Sequence, residues 1–109
     1  MGELKASNEH CVKIHLRMSG SGFGSAEERD LIYKFSDLLA EAIMMKRVGE
    51  FDGDEFGGGQ CLLYMYGPDA DHLFDAIEPM LRDWPVLKGG YVIKRFGPPG
   101  SRAETVSFD

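Results

Sequence analysis

The segment from Cys11 to Met18 alternates apolar and polar residues and leads directly into a glycine-rich loop and the start of a helix. An alternation of period two is typical of a β-strand with one buried face. Residues 19–25 read SGSGFGS, and Ser25 and Glu28 have the spacing of a helix capping box. The chain is therefore predicted to contain a strand, a loop and a helix in direct succession. The apolar strand positions are Val12, Ile14, Leu16 and Met18.

The length of 109 residues fits one domain, residues 1–109, with a single core. Residues 1–10 show no periodicity and are predicted to be a mobile N-terminus, residues 11–96 to form the core, and residues 97–109 to form a tail. No apolar run approaches the roughly 20 residues of a membrane span, and the first ten residues lack the regions of a signal peptide. We therefore expect a cytoplasmic protein with no membrane partner.

The acidic side chains are concentrated in the middle of the chain. The net charge is −6, and residues 51–83 hold eight acidic side chains against the single base Arg82. A polyanion would be repelled by this region, which argues against nucleic acid as a partner. An RNA-binding sheet is disfavoured for the same reason, and no aromatic RNA-binding motif of the RRM kind is present.

The first helix is predicted to begin at the cap Ser25 and to end near Lys46. Apolar residues recur there at spacings of three and four, and polar residues fill the opposite side, as in a helix packed on a sheet. One apolar stripe is therefore expected to be buried. Its members are Leu31, Ile32, Phe35, Leu38, Leu39, Ala42 and Ile43.

Three further strands are predicted after this helix, over Arg47–Phe51, Gln60–Tyr66 and Tyr91–Phe96. An acidic, glycine-rich loop is expected over Asp52–Gly59, between the first two of them. The strand that begins at Gln60 is apolar on both faces, which is typical of a central strand covered on both sides. A short edge strand is predicted over Thr105–Phe108.

The second helix is predicted to begin after the cap Asp69 and to reach Trp84, where Pro85 stops it. Pro79 lies inside it, lacks an amide hydrogen and crowds the carbonyl four residues earlier. We therefore expect a kink or a break near Asp75.

The predicted element order is βαββαβ. Right-handed crossovers place both helices on one side of the sheet, so the expected fold is a ferredoxin-like α+β sandwich. It has a four-stranded antiparallel sheet, two helices on one face and a short fifth edge strand, and it leaves the other face open. The segments GPDADHLFDAIEPMLRDWP and GGYVIKRFGPPG resemble a group of small uncharacterised bacterial proteins with the same pattern. That resemblance implies no activity.

The glycine-rich loop is a candidate site for a small anion. Backbone amides at a helix start, next to the base at the end of the preceding strand, favour negative charge. The loop is not a dinucleotide fingerprint, because Ser25 stands where the third glycine is needed, and the chain contains no P-loop motif. The candidate ligand-binding residues are His15, Arg17, Ser21, Gly22, Gly24 and Ser25.

The open sheet face is a candidate surface for a protein partner. If helices cover one face of the sheet, then the apolar strand that begins at Gln60 leaves side chains for a second subunit or another protein. Aromatic residues beside the mobile acidic loop could also anchor a partner. The candidate partner-binding residues are Phe51, Phe56, Tyr64 and Tyr66.

Metal sites and catalytic sets are not expected. The sequence DGDEFGGG fails as an EF-hand because Phe56 and Leu63 occupy ligand positions. Cys11 and His15 would lie too far apart along a strand to share one metal, and Cys11 and Cys61 are expected to be buried, reduced thiols. We therefore predict no metal, no cofactor and no catalytic residue.

Three functions stay open at this level. The first is a non-catalytic binding or protein-interaction domain that forms a homodimer through its open sheet face. The second is a small-anion-binding protein or enzyme that uses the loop from Gly20 to Ser25 together with Arg17. The third is an enzyme of the dimeric α/β-barrel kind, in which His15 acts as acid or base.

Overall fold

A computed structural model of the chain describes residues 9–108. It contains five strands, two α-helices and one 3-10 turn, and the five strands form a single antiparallel sheet in the order β2-β3-β1-β4-β5. Residues 1–8, which belong to the segment predicted to be mobile, lie outside the described residues. The elements are β1 His10–Arg17, α1 Ala26–Lys46, β2 Glu50–Gly57, β3 Gln60–Gly67, α2 Ala70–Arg82, the 3-10 turn Pro85–Leu87, β4 Gly90–Arg95 and β5 Ala103–Phe108.

The α+β class is confirmed, but the sheet has five strands rather than four. The short edge strand predicted over Thr105–Phe108 begins two residues earlier and pairs with β4 along its whole length, from Gly90 opposite Phe108 to Arg95 opposite Ala103. The tail is therefore a full member of the sheet. The last side chain of β5, Phe108, also belongs to the core.

Both helices pack on the same face of the sheet. Three buried residues of β1, Val12, Ile14 and Leu16, lie opposite buried residues of β3. They share one core with the buried residues of α1 and α2. Because strand side chains alternate, the odd-numbered residues of β1 lie on the other face. In residues 9–108 no helix covers that second face.

Helix α1 begins as predicted and buries a narrower stripe than predicted. The Ser25 hydroxyl accepts from the Glu28 amide, the Glu28 carboxylate accepts from the Ser25 amide, and Lys46 is its last residue. Leu39 is fully buried, whereas the exposed fraction of its neighbour Leu38 is 54%. Consecutive helix residues point about 100° apart, and the buried arc follows residues 32, 36, 39 and 43. Leu31, also predicted to be buried, is exposed for the same reason.

The loop predicted over Asp52–Gly59 was wrong, because most of it is strand β2. Pairing with β3 runs from Glu50 to Gly57 and is interrupted by a bulge between Phe51 and Gly53. Phe51 and Phe56 turn toward the helices and pack against the core. Apolar contacts and ladder hydrogen bonds therefore outweigh the poor strand propensity of Asp and Gly.

Helix α2 is continuous through Pro79, so the break expected near Asp75 is absent. Asp75 is exposed, and water can therefore satisfy the carbonyl that proline leaves without a donor. The helix ends at Arg82, two residues earlier than predicted, and Trp84 stacks on Phe35 of α1 with ring centroids 3.7 Å apart. Among residues 9–108, neither helix has the length and hydropathy that a membrane crossing requires.

Candidate functional site

The face of the sheet opposite the helices, called here the open face, presents an ordered grid of side chains. Strand register aligns Cys11, Lys13 and His15 of β1 each with one neighbour on β3 and one on β4. Most of these side chains are half-buried, and Tyr91 is 38% exposed. Three rows, each from β3 through β1 to β4, are Tyr66, Cys11 and Arg95; Tyr64, Lys13 and Ile93; and Leu62, His15 and Tyr91.

The charges of the open face are separated by strand. Acidic side chains lie on β2, where Glu50 pairs with Tyr66 and Glu55 pairs with Leu62. Basic side chains lie on β1 and β4, as Lys13, Arg17 and Arg95. The tyrosines and Leu62 of β3 lie between the two. The open face is therefore acidic along one edge, aromatic beside it and basic across its middle.

The two tyrosines predicted to bind a partner do lie on the open face. Tyr64 donates its hydroxyl hydrogen to Glu55 Oε1 at 3.0 Å, and the Lys13 ammonium lies 6.0 Å from the Tyr64 ring centroid. Burial, together with nearby acidic groups, raises the pKa of both Tyr64 and Tyr66, so their phenols stay protonated. The other two predicted residues, Phe51 and Phe56, are packed against the core and do not contribute to this surface.

His15 is the least satisfied polar group of the open face. Its ring stacks on Tyr91 with centroids 4.3 Å apart and planes 12° from parallel. Both ring nitrogens are buried without a hydrogen-bond partner among the described residues. Burial lowers the pKa of the imidazole, and the neighbouring charge of Lys13 lowers it further. The imidazole is therefore neutral at pH 7.

We expect stability to fall as the pH decreases from about 6.5, the ordinary pKa of histidine. The folded protein binds a proton on His15 less readily than the unfolded chain does, so acid favours unfolding between the unfolded pKa and the lower folded pKa. Urea midpoints at pH 7.5 and 5.5 measure this difference. His15→Phe keeps a ring against Tyr91 and should show a smaller fall. An unchanged fall in His15→Phe contradicts the assignment.

The residues predicted to bind an anion are divided between two places. His15 and Arg17 line a cleft of about 370 Å³ at one end of the sheet, together with the glycines of the β2–β3 turn and Gly89 and Gly90. The loop residues Ser21, Gly22, Gly24 and Ser25 do not line it. The loop is instead tied to the β2–β3 turn, where the Gly59 amide donates to the Gly22 carbonyl at 2.8 Å.

A side chain of the protein already occupies the start of α1. The Glu28 carboxylate accepts from the Ser25 amide at 2.7 Å, from the Ser19 hydroxyl at 2.6 Å and from the Ser19 amide at 3.1 Å. These bonds, the Ser19 hydroxyl first, lower its pKa to about 2. An external anion would have to displace this carboxylate or sit beside its charge. The geometry therefore favours the loop as a structural connection.

The sequence interpretation missed the contribution of β4. Tyr91, Ile93 and Arg95 alternate along that strand and complete the open face. The alternation is visible in the sequence, but it does not tell which alternate set faces the helices. Pairing with β1 decides this, because Val92 lies opposite the buried Ile14.

The two cysteines lie on opposite faces of the sheet. Both are free thiols. Cys11 is on the open face, where burial raises its pKa despite the opposing charges of Arg95 and Lys13. Cys61 is in the core, where burial raises its pKa to about 12. Neither thiol is therefore ionised near neutral pH.

The part of the chain that the structure describes contains no candidate metal site. No three His, Cys, Asp or Glu side chains among residues 9–108 converge into a group that could hold a metal ion. No protein-family model, curated protein or solved structure matches the chain. The resemblance to small bacterial proteins therefore stays a prediction.

Proposed function

We propose that this protein is a binding domain that forms a homodimer by pairing its open face with that of a second copy. In this proposal the elements from β1 to β4 are a ferredoxin-like sandwich, extended by β5. The observation that carries the proposal is the uncovered, half-buried grid of tyrosine, leucine and isoleucine side chains around the unpartnered His15 nitrogens. Partly apolar surfaces that no helix covers are typical of protein interfaces, and a second chain packed on them would remove these side chains from water.

A second copy is favoured as the occupant because the charges of the face complement themselves. A two-fold axis running along β3 would place β2 of one copy over β1 of the other. Glu50 and Glu55 would then lie near Lys13 and Arg17 of the second copy, and the β3 tyrosines would meet across the axis. An axis perpendicular to the strands would instead oppose like charges. The strand arrangement therefore favours one orientation.

The dimensions of the molecule are compatible with an interface of standard size. The molecule measures 40 × 29 × 27 Å, and a stable interface buries about 800 Å² on each partner. Two sheets pack face to face at about 10 Å, which leaves room for the half-buried side chains of both. Both helices lie on the other side of the sheet, so pairing through the open face does not require them to move.

The proposed dimer is tested by sedimentation velocity of the full chain at micromolar concentrations. The wild type should sediment near twice the chain mass of 12.1 kDa. Leu62→Glu places a charge beside Glu55 at the centre of the face, and should raise the dissociation constant at least about tenfold. The matched control is Met45→Glu on α1, where the residue is 74% exposed on the helical layer, and this variant should stay dimeric.

Two results would overturn the proposal. One is a wild-type chain that stays monomeric at every accessible concentration. The other is a dimer that Met45→Glu dissociates and Leu62→Glu leaves intact, because Met45 extends an exposed apolar row on α1 with Leu31 and Leu38. Circular dichroism of each variant shows whether a change in mass reflects the interface or loss of fold.

Catalysis at His15 is less well supported than binding. A general acid or base must bring a ring nitrogen within hydrogen-bond reach of its substrate. Both nitrogens of His15 are shielded, and the ring is held against Tyr91. The same stacked ring suits a surface that packs against another apolar surface.

A further inference from the structure

The open face contains a depression whose floor is the Cys11 thiol. Cys11 is short, and its neighbours in the same row are the long side chains of Tyr66 and Arg95. The next row adds Lys13 between Tyr64 and Ile93. These six residues, together with Ser101 and Ala103, line a pocket of about 120 Å³. Cavities of about 150 Å³ hold a benzene ring, so the pocket suits a compact group of about that size or slightly smaller.

Two cations lie at this pocket without an acidic partner. Among the described residues, no carboxylate lies within 4.0 Å of the Lys13 ammonium or the Arg95 guanidinium, whereas the neighbouring Lys94 on the other face has two. The Arg95 guanidinium is held in place, since its Nε donates to the Gly97 carbonyl at 2.8 Å. Both cations act on the Cys11 thiol, and Asp52 opposes them. The Cys11 thiol is neutral, so it does not balance the positive charges of Lys13 and Arg95.

Apart from Ser101, the remaining lining is apolar or aromatic. Ile93 forms one wall, and Tyr64 and Tyr66 form the other. Pockets of this composition orient a ligand by a few polar groups and hold its body by apolar contact. The Arg95 guanidinium donates through Nε to the Gly97 carbonyl and through Nη2 to the Glu9 carbonyl at 3.4 Å. Nη1 and the second hydrogen of Nη2 can give a carboxylate charge-assisted hydrogen bonds.

We propose that this pocket binds a small monocarboxylate with a compact apolar or aromatic body. The carboxylate lies between Lys13 and Arg95, and the body lies over Cys11 against Ile93 and the tyrosine rings. Every lining residue belongs to one chain, so the site does not depend on self-association. In the proposed dimer Glu50 of the second copy would approach Lys13, so the bound carboxylate and the second copy would compete for this cation.

The experiment titrates the isotope-labelled full chain with benzoate at constant ionic strength and follows backbone amide NMR signals. The signals of Cys11, Tyr66 and Arg95 should shift and saturate. Benzamide, which has the same shape without the charge, should bind about 10- to 100-fold more weakly. Arg95→Gln and Lys13→Gln should weaken benzoate binding by a similar factor, and Cys11→Leu, which fills the floor, should abolish it.

Three outcomes would overturn the site: no saturable shift with benzoate, equal binding of benzamide, or wild-type affinity in both Arg95→Gln and Lys13→Gln. Arg95 also donates a hydrogen bond to Gly97, and its replacement could therefore unfold the chain. If Arg95→Gln unfolds, the benzoate affinity of Lys13→Gln alone decides the test. Leu62→Glu lies outside the pocket lining and should retain benzoate binding. A monomeric chain that binds benzoate as described would reject only the homodimer.

Discussion

Leu39→Ala should lower the free energy of unfolding by about 2 to 5 kcal/mol, whereas Leu38→Ala should lower it by no more than about 0.5 kcal/mol. The two leucines are consecutive, and the same atoms are removed in each variant. Leu39 is fully buried in the shared core, and Leu38 is 54% exposed. Truncation at residue 39 therefore leaves a cavity beneath α1, and truncation at residue 38 removes atoms that largely contact water.

Urea denaturation of both variants, with equal m-values, measures this difference directly. The comparison also separates the observed helix orientation from the wider stripe that the sequence alone predicted. Similar losses in the two variants would mean that α1 is rotated from the position described.

The second large effect is expected at the end of β3. A Cβ atom added to Gly67 would overlap the carbonyl oxygen of Val48, which belongs to the connection between α1 and β2. Gly67→Ala should therefore separate two closely packed backbone segments and cost about 1 to 3 kcal/mol. The obstacle is backbone rather than a flexible side chain, so rotamer changes cannot relieve it.

Gly22→Ala is the matched control for this substitution. A Cβ at residue 22 meets no atom within 4 Å, and the residue is not among those with a positive φ. Its melting temperature should change little or rise slightly, because alanine restricts the unfolded chain. A Gly67→Ala protein as stable as Gly22→Ala would show that the backbones at residues 48 and 67 are further apart than described.

Periodicity predicted the elements that have a strong apolar pattern. Strand β1, helix α1 and strand β3 lie within one or two residues of their expected bounds, because alternation and helical spacing are local signals. Strand β2 was missed over most of its length, since EFDGDEFG has the composition of a loop and becomes a strand only by pairing with β3. The pairing register of two strands that are distant in sequence cannot be read from either segment alone.

For the open face too, local patterns could be predicted from the sequence and long-range pairing could not. The polar side of β1 could be inferred from alternation within that strand. Strand β3 is apolar on both sides, and only its register with β1 decides that Tyr64 and Tyr66, rather than Leu63 and Met65, lie on the open face. The pocket over Cys11 could not be inferred, because it requires three strands in one register and a short side chain between two long ones. The role of Glu28 was foreseen as a cap, but its additional bonds to Ser19 depend on how the loop folds back.

The bulge between Phe51 and Gly53 has a consequence for how copies of this chain avoid one another. Strand β2 is an edge of the sheet, and a straight edge offers free amides and carbonyls to any strand that approaches. Here the ladder is interrupted and flanked by Asp52 and Asp54, features that prevent strands from adding and growing into fibrils. Charge and a bulge at this rim of the sheet therefore disfavour the addition of further strands, which a longer, uncharged edge would accept without limit.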